Sequence, residues 1–117
     1  MKNLFLILLI IVSFQFSAQE KFTFKSADGL EITADKYFSN TETAPLIILF
    51  HQAGWSRGEY KEIAPKLNKM GFNCLAIDQR SGEAINDVEN ETYKRAVENK
   101  LGTTYVDAEI DMIAAIE

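Results

Sequence analysis

The chain of 117 residues is poor in the residues that usually announce chemistry: it has one cysteine, one histidine and two prolines. With Cys74 alone, no intrachain disulfide can form. That thiol lies in the apolar run 72–77, where a buried inert group is the first expectation and a nucleophile the alternative. One His and one Cys cannot complete a structural zinc site, so no metal and no cofactor is expected. Positive charge is scarce too, with 12 Lys+Arg against 17 Asp+Glu and a net charge of -5. Without a basic stripe to neutralise phosphates, nucleic acid drops out as a partner. Repeats and low-complexity tracts are missing, and a composition 47% hydrophobic and 25% charged is that of at most one ordinary globular domain.

Long apolar runs are few. The first, residues 4–12, comes after Lys2 and precedes Ser17-Ala18, small side chains that suit a signal peptidase. It is shorter than the roughly 20 residues a spanning helix requires, and Gln15 breaks any apolar continuation. Residues 1–19 are therefore expected to be a signal peptide cut after Ala18, with an uncleaved N-terminal anchor as the alternative. The mature chain, 20–117, is expected to be exported (periplasmic or secreted) and to keep no stable membrane span.

Residues 21–25 alternate polar and apolar, Ser26-Ala27-Asp28-Gly29 is a turn, and residues 30–38 alternate again: an antiparallel hairpin. A polar connector, 39–45, leads to Leu46-Ile47-Ile48-Leu49-Phe50, whose unbroken apolarity predicts a strand buried on both faces. The polar turn His51-Gln52-Ala53-Gly54 comes next. Ser56 and Glu59 have capping-box spacing, so a helix is expected just after Ser56. Pro65 either kinks it or begins a second segment, and Gly71 suits its left-handed end. Residues 72–77 then form a strand ending at Asp78. Strand, helix and strand at this spacing make a parallel βαβ unit. The signal weakens from Gln79 to Gly102, where residues 88–100 are expected to hold a polar helix. Thr104 and Asp107 can cap a last helix, with Val106, Ile110, Ile113 and Ala114 as its buried stripe.

The order of elements, with His51-Gln52-Ala53-Gly54 after one strand and Asp78-Gln79-Arg80-Ser81-Gly82 after the next, resembles the N-terminal half of an α/β-hydrolase domain. The closer likeness is to its dienelactone-hydrolase-like and esterase-like members, and it covers roughly residues 21–117. It implies an α/β fold with an incomplete hydrolase sheet: an N-terminal antiparallel hairpin, a parallel βαβ unit and flanking helices. The nucleophile-bearing half of the domain would lie outside this chain. The implied activity is cleavage of ester or related acyl bonds through an acyl-enzyme intermediate formed on a serine or cysteine. The implied partner is a small ester-like substrate.

Acyl transfer places negative charge on a carbonyl oxygen, and each preorganised N–H facing it stabilises the transition state by roughly 3 to 4 kcal/mol. The resemblance makes the Ala53 backbone N–H the candidate oxyanion donor, with Gly54 as the alternative. His51 is expected to shape the loop rather than act as base, because the family's base lies far downstream. Gly54-Trp55-Ser56-Arg57-Gly58 spells G-x-S-x-G, yet it precedes the family's nucleophile position and no histidine comes after it; an N-cap is the expected role of Ser56. This chain is then expected to hold no triad nucleophile, acid or base, and to be inactive alone. Trp55 lines a pocket mouth or packs on the helix. Arg80 meets an anionic substrate or makes a surface ion pair. Asp78 anchors a turn, with a triad acid as the alternative. The remaining carboxylates, Asp87, Glu89, Glu91, Glu98, Asp107, Glu109 and Asp111, read as solvated faces. A non-catalytic exported α/β binding module, or a degenerate fragment, is the competing class, and a prolyl-oligopeptidase-type peptidase a more distant one.

Overall fold

A computed structural model describes residues 19–117, so all but Gln19 of the expected signal peptide lies outside the described residues. β1 (Glu20–Lys25) and β2 (Glu31–Tyr37) pair antiparallel in the expected hairpin. The turn closes where Ser26 N–H donates to Leu30 O and Gly29 N–H to Ser26 O, each at 2.9 Å. Gly29 sits at φ +85°, a conformation that the missing Cβ makes accessible.

β3 (Leu46–Phe50) leads through a 3₁₀ turn (Arg57–Tyr60) into α1 (Ile63–Lys69), and the chain returns as β4 (Asn73–Ile77), parallel to β3. Pro65 falls at the third position of α1, where its absent N–H would have no intrahelical acceptor. Gly71, at φ +97°, ends α1: its N–H donates to Asn68 O, and Phe72 N–H donates to Leu67 O. The four strands form one mixed sheet ordered β1-β2-β4-β3, so the molecule is mixed α/β.

β4, inside the sheet, is buried along its whole length. Its alternation feeds two cores. Leu75 and Ile77 join Leu30, Ile32 and Ala34, with Ala96 and Ala115 packed on them. Cys74 and Ala76 join Tyr37 and Ala64, with Leu67, Ile47 and Leu49 around them. The two fully buried isoleucines, Ile32 and Ile77, each contribute about 1.5–3 kcal/mol. Burial also raises the Cys74 thiol above its ordinary pKa, the direction of an inert group.

Three expectations are corrected. β3 is not buried on both faces: Leu46 is 49% exposed and residues 47–50 are half-buried, while laterally the strand lies at the sheet edge, paired with β4 on one side and with no described strand on the other. Residues 84–89 hold a small ladder, β5 (Ala84–Ile85) with β6 (Val88–Glu89), before α2 (Glu91–Glu98) begins. Its two-residue loop, Asn86-Asp87, has positive φ at both positions, as tight hairpins demand. In α3 (Glu109–Ile116) the expected stripe is not the buried one, since Val106 is 75% and Ile113 45% exposed while Asp111 is fully buried. No helix among the described residues is long and apolar enough to cross a membrane.

Candidate functional site

The turn after β3 lies against the segment after β4. Gly54 and Gly82 form a parallel bridge, with Gly54 N–H donating to Ser81 O at 2.8 Å and Glu83 N–H to Gly54 O at 3.1 Å. The contact is so close that a Cβ on Gly82 would sit 1.9 Å from Trp55 O. Glycine at 82 is thus a steric requirement, and the two loops are held as one unit.

His51 is the inner pin of this unit and is buried. Gln79 N–H donates to its Nε2 at 2.9 Å, which assigns the ring proton to Nδ1, where it meets Gln52 O at 2.8 Å. The Gln79 side chain completes the exchange, accepting from His51 N–H and donating to His51 O, each at 3.1 Å. Both ring nitrogens are engaged by main chain.

Of the two candidate oxyanion donors, Gly54 is spent on Ser81 O. Its role as alternative donor is corrected accordingly. The Ala53 N–H has no partner among the described residues, and Ala53 is exposed. Beside it, Gln52 N–H donates to Glu59 Oε2 at 2.9 Å. The Glu59 side chain therefore reaches past Ser56 instead of closing the expected capping box. Trp55 is half-buried, and its main chain is clamped between Gln52 O and the Asn90 side-chain amide.

Ser56 is fully buried: its hydroxyl donates to Val88 O at 2.6 Å and accepts from Gly58 N–H at 3.1 Å. That is the geometry of an N-cap with a spent proton, whereas a nucleophile elbow exposes its oxygen. Arg57 turns inward. Asp78 accepts from its main-chain N–H and from Nη1, each at 2.7 Å, and also from Glu91 N–H at 2.9 Å. Nε and Nη2 of Arg57 stand 3.0 Å from Asp35 and 2.9 Å from Glu91, but without hydrogen-bond alignment, so those contacts are Coulombic. Asp78 thus anchors its turn, while burial pushes its carboxyl up and outweighs the pull of Arg57.

Arg80 is corrected outright. It is neither a surface ion pair nor open to a substrate, for its side chain is 3% exposed and forks between two carboxylates. Nη1 and Nη2 donate to Asp28 at 2.7 and 3.1 Å, while Nε and Nη2 donate to Asp111 at 3.0 and 2.7 Å. Burial alone would lower its pKa; the hydrogen bonds to Asp111 and Asp28 outweigh that and hold it raised. Asp111 also accepts from Arg80 main-chain N–H at 2.9 Å, so α3 docks through a buried charge.

Asn90 carries a role that its sequence context only half announces. Fully buried, it caps α2 by accepting from Tyr93 N–H at 2.8 Å, and its amide donates to Gln79 O at 2.6 Å and Trp55 O at 3.2 Å. An Asn just before Glu91-Thr92 is an N-cap signal; its grip on two other loops has no local signature.

Among the described residues, no group of three or more His, Cys, Asp or Glu is arranged to hold a metal ion. No nucleophile–base pair is assembled among them either, since Ser56 and His51 each spend their hydrogen bonds elsewhere. What the arrangement can offer is the Ala53 amide, exposed and without a partner among the described residues, on a turn tied to the segment after β4. The chain matches no model of a known protein family and no characterised protein.

Proposed function

We propose that this chain is the N-terminal part of an exported α/β-hydrolase that cleaves ester or related acyl bonds, supplying one oxyanion donor and no triad residue. The observation that carries the reading is the Ala53 N–H, unpartnered among the described residues, on a turn that His51, Gln79, Gly54 and Gly82 hold rigid. A donor fixed before reaction needs no reorganisation as charge develops, which is where such groups gain their effect. The turn also sits at a strand's carboxyl end, where open α/β sheets gather ligands.

Two further features support the reading. The order β1-β2-β4-β3, with its single parallel pair, agrees with the incomplete hydrolase sheet that the resemblance implies. The free side of β3 offers main-chain groups to a further strand of the missing half. A non-catalytic binding module is the second reading; the buried, hydrogen-bonded state of Ser56 and His51 fits either one, and labelling of the protein separates them.

The test is to treat the complete gene product with an organophosphonate probe of serine hydrolases, and with a thiol-reactive counterpart, and to map the labelled residue while monitoring aryl-ester turnover. The expected result is turnover with a label outside residues 19–117, retained in Ser56→Ala. A label on Ser56 would overturn the division of labour. Absence of both label and turnover would favour the binding module.

A further inference from the structure

The two guanidinium groups near the turn are already spoken for. Arg57 faces Asp35, Asp78 and Glu91, and Arg80 faces Asp28 and Asp111, with side-chain exposures of 7% and 3%. Lys21 is drawn to Glu91 at 3.0 Å. In each cluster the carboxylates outnumber the cations, so neither presents positive charge to a ligand.

The charge that does sit on the turn is negative. Glu59 Oε2 accepts the Gln52 N–H at 2.9 Å, one residue from Ala53. Adjacent backbone nitrogens are at most about 3.7 Å apart, so that oxygen lies within about 6.6 Å of the Ala53 nitrogen. A main-chain donor holds the carboxylate there, so it does not sweep freely through solvent.

Resting on the acyl-transfer reading above, we propose that Glu59 sets the charge preference of the site. It favours acyl compounds that are neutral or cationic beside the carbonyl, and turns away those carrying a carboxylate or phosphate there. The physical basis is like-charge repulsion; among the described residues no cation forms a salt bridge with Glu59. Two unit charges about 8 Å apart at a protein surface repel enough to change a rate ratio about two- to thirtyfold, between the limits of bulk water and a near-surface dielectric. The oxyanion that develops in every acyl transfer feels Glu59 too. That penalty is common to all substrates and cancels when two of them are compared on one enzyme.

The test uses the complete gene product and two aryl esters of matched length, 4-nitrophenyl butyrate and the anionic 4-nitrophenyl hemisuccinate. Glu59→Gln keeps an acceptor for Gln52 N–H and removes the charge. In low salt the native protein is expected to prefer the butyrate, and Glu59→Gln to raise the hemisuccinate-to-butyrate ratio of kcat/KM about two- to thirtyfold. High salt is expected to raise the same ratio in the native protein, an arm that needs no variant, because screening shortens the reach of the charge.

A second arm needs no turnover: the Ala53 amide signal in a ¹⁵N NMR titration with acetate. It is expected to stay flat in the native protein and to shift saturably in Glu59→Gln. An unchanged ester ratio, a native preference for the hemisuccinate, or an equal acetate response in both proteins would overturn the assignment. If neither ester is hydrolysed while the acetate contrast holds, the acyl-transfer reading fails and the role of Glu59 stands.

Discussion

Replacing Arg80 with methionine, a side chain of similar length without charge, removes the group that joins three segments. Arg80 connects the β1–β2 turn through Asp28, the end of β4 through its own backbone, and α3 through Asp111. In the variant, Asp111 stays fully buried and keeps one donor, the main-chain N–H of residue 80 at 2.9 Å. Stranding one member of a buried ion pair costs about 3–5 kcal/mol, and most of that is the uncompensated charge, not the loss of attraction. A small domain has only about 5–15 kcal/mol to lose. The assay is urea denaturation read by circular dichroism and tryptophan fluorescence. Arg80→Met alone is expected to lower the unfolding free energy by about 3–5 kcal/mol. Combining it with Asp111→Asn neutralises the stranded group and is expected to recover a large part of the loss, a non-additivity that neighbours sharing one network should show. A single-variant loss under about 1 kcal/mol, or a double variant weaker than the single one, would refute the argument.

The same contacts set three other outcomes. Gly82→Ala drives a Cβ to 1.9 Å from Trp55 O, so a loss of about 1–3 kcal/mol or more and faster exchange of the Gly54 amide are expected in denaturation and hydrogen-exchange measurements. The hydrogen bond from Arg80 lowers the Asp28 pKa below its ordinary 3.8; its stabilising contribution is therefore fully present above that value and lost as pH falls through the lower folded one. The stability gap between the native protein and Asp28→Asn should accordingly be constant near neutrality and close at the acid end of a pH series. Purified residues 19–117 are expected to self-associate through the apolar edge of β3, and Leu46→Lys to reduce it in sedimentation velocity, because a charge blunts an exposed edge.

Local signals carry the fold well. Alternation around Asp28-Gly29 locates the hairpin, Gly71 marks the end of α1, and the spacing of two apolar runs locates the βαβ unit. Apolar content misleads where it stands in for burial. Leu46–Phe50 reads as a strand covered on both faces, yet its residues are exposed or half-buried, because coverage depends on what packs over each face and hydrophobicity does not encode that. The stripe expected on α3 fails because the helix is anchored by a carboxylate, and the partner of Asp111 lies 31 residues away. Arg80 is illegible for the same reason: Asp28 is 52 residues distant, and nothing in Asp78-Gln79-Arg80 indicates it. At the candidate site, Ala53 is reachable through a motif, while the diversion of Glu59 to Gln52 is a matter of side-chain reach on a 3₁₀ turn.

The fork on Arg80 also bears on the order in which the chain assembles. It closes loops of 52 and 31 residues at once, so its entropic cost falls due only after the hairpin and the strand–helix–strand unit have brought the ends together. A fastener that sets this late is expected to be absent from the folding transition state, as the two arms of a chevron plot for Arg80→Met would show. Loosening it should leave the folding rate nearly untouched and hasten unfolding, which makes this one arginine a determinant of how long the native molecule lasts.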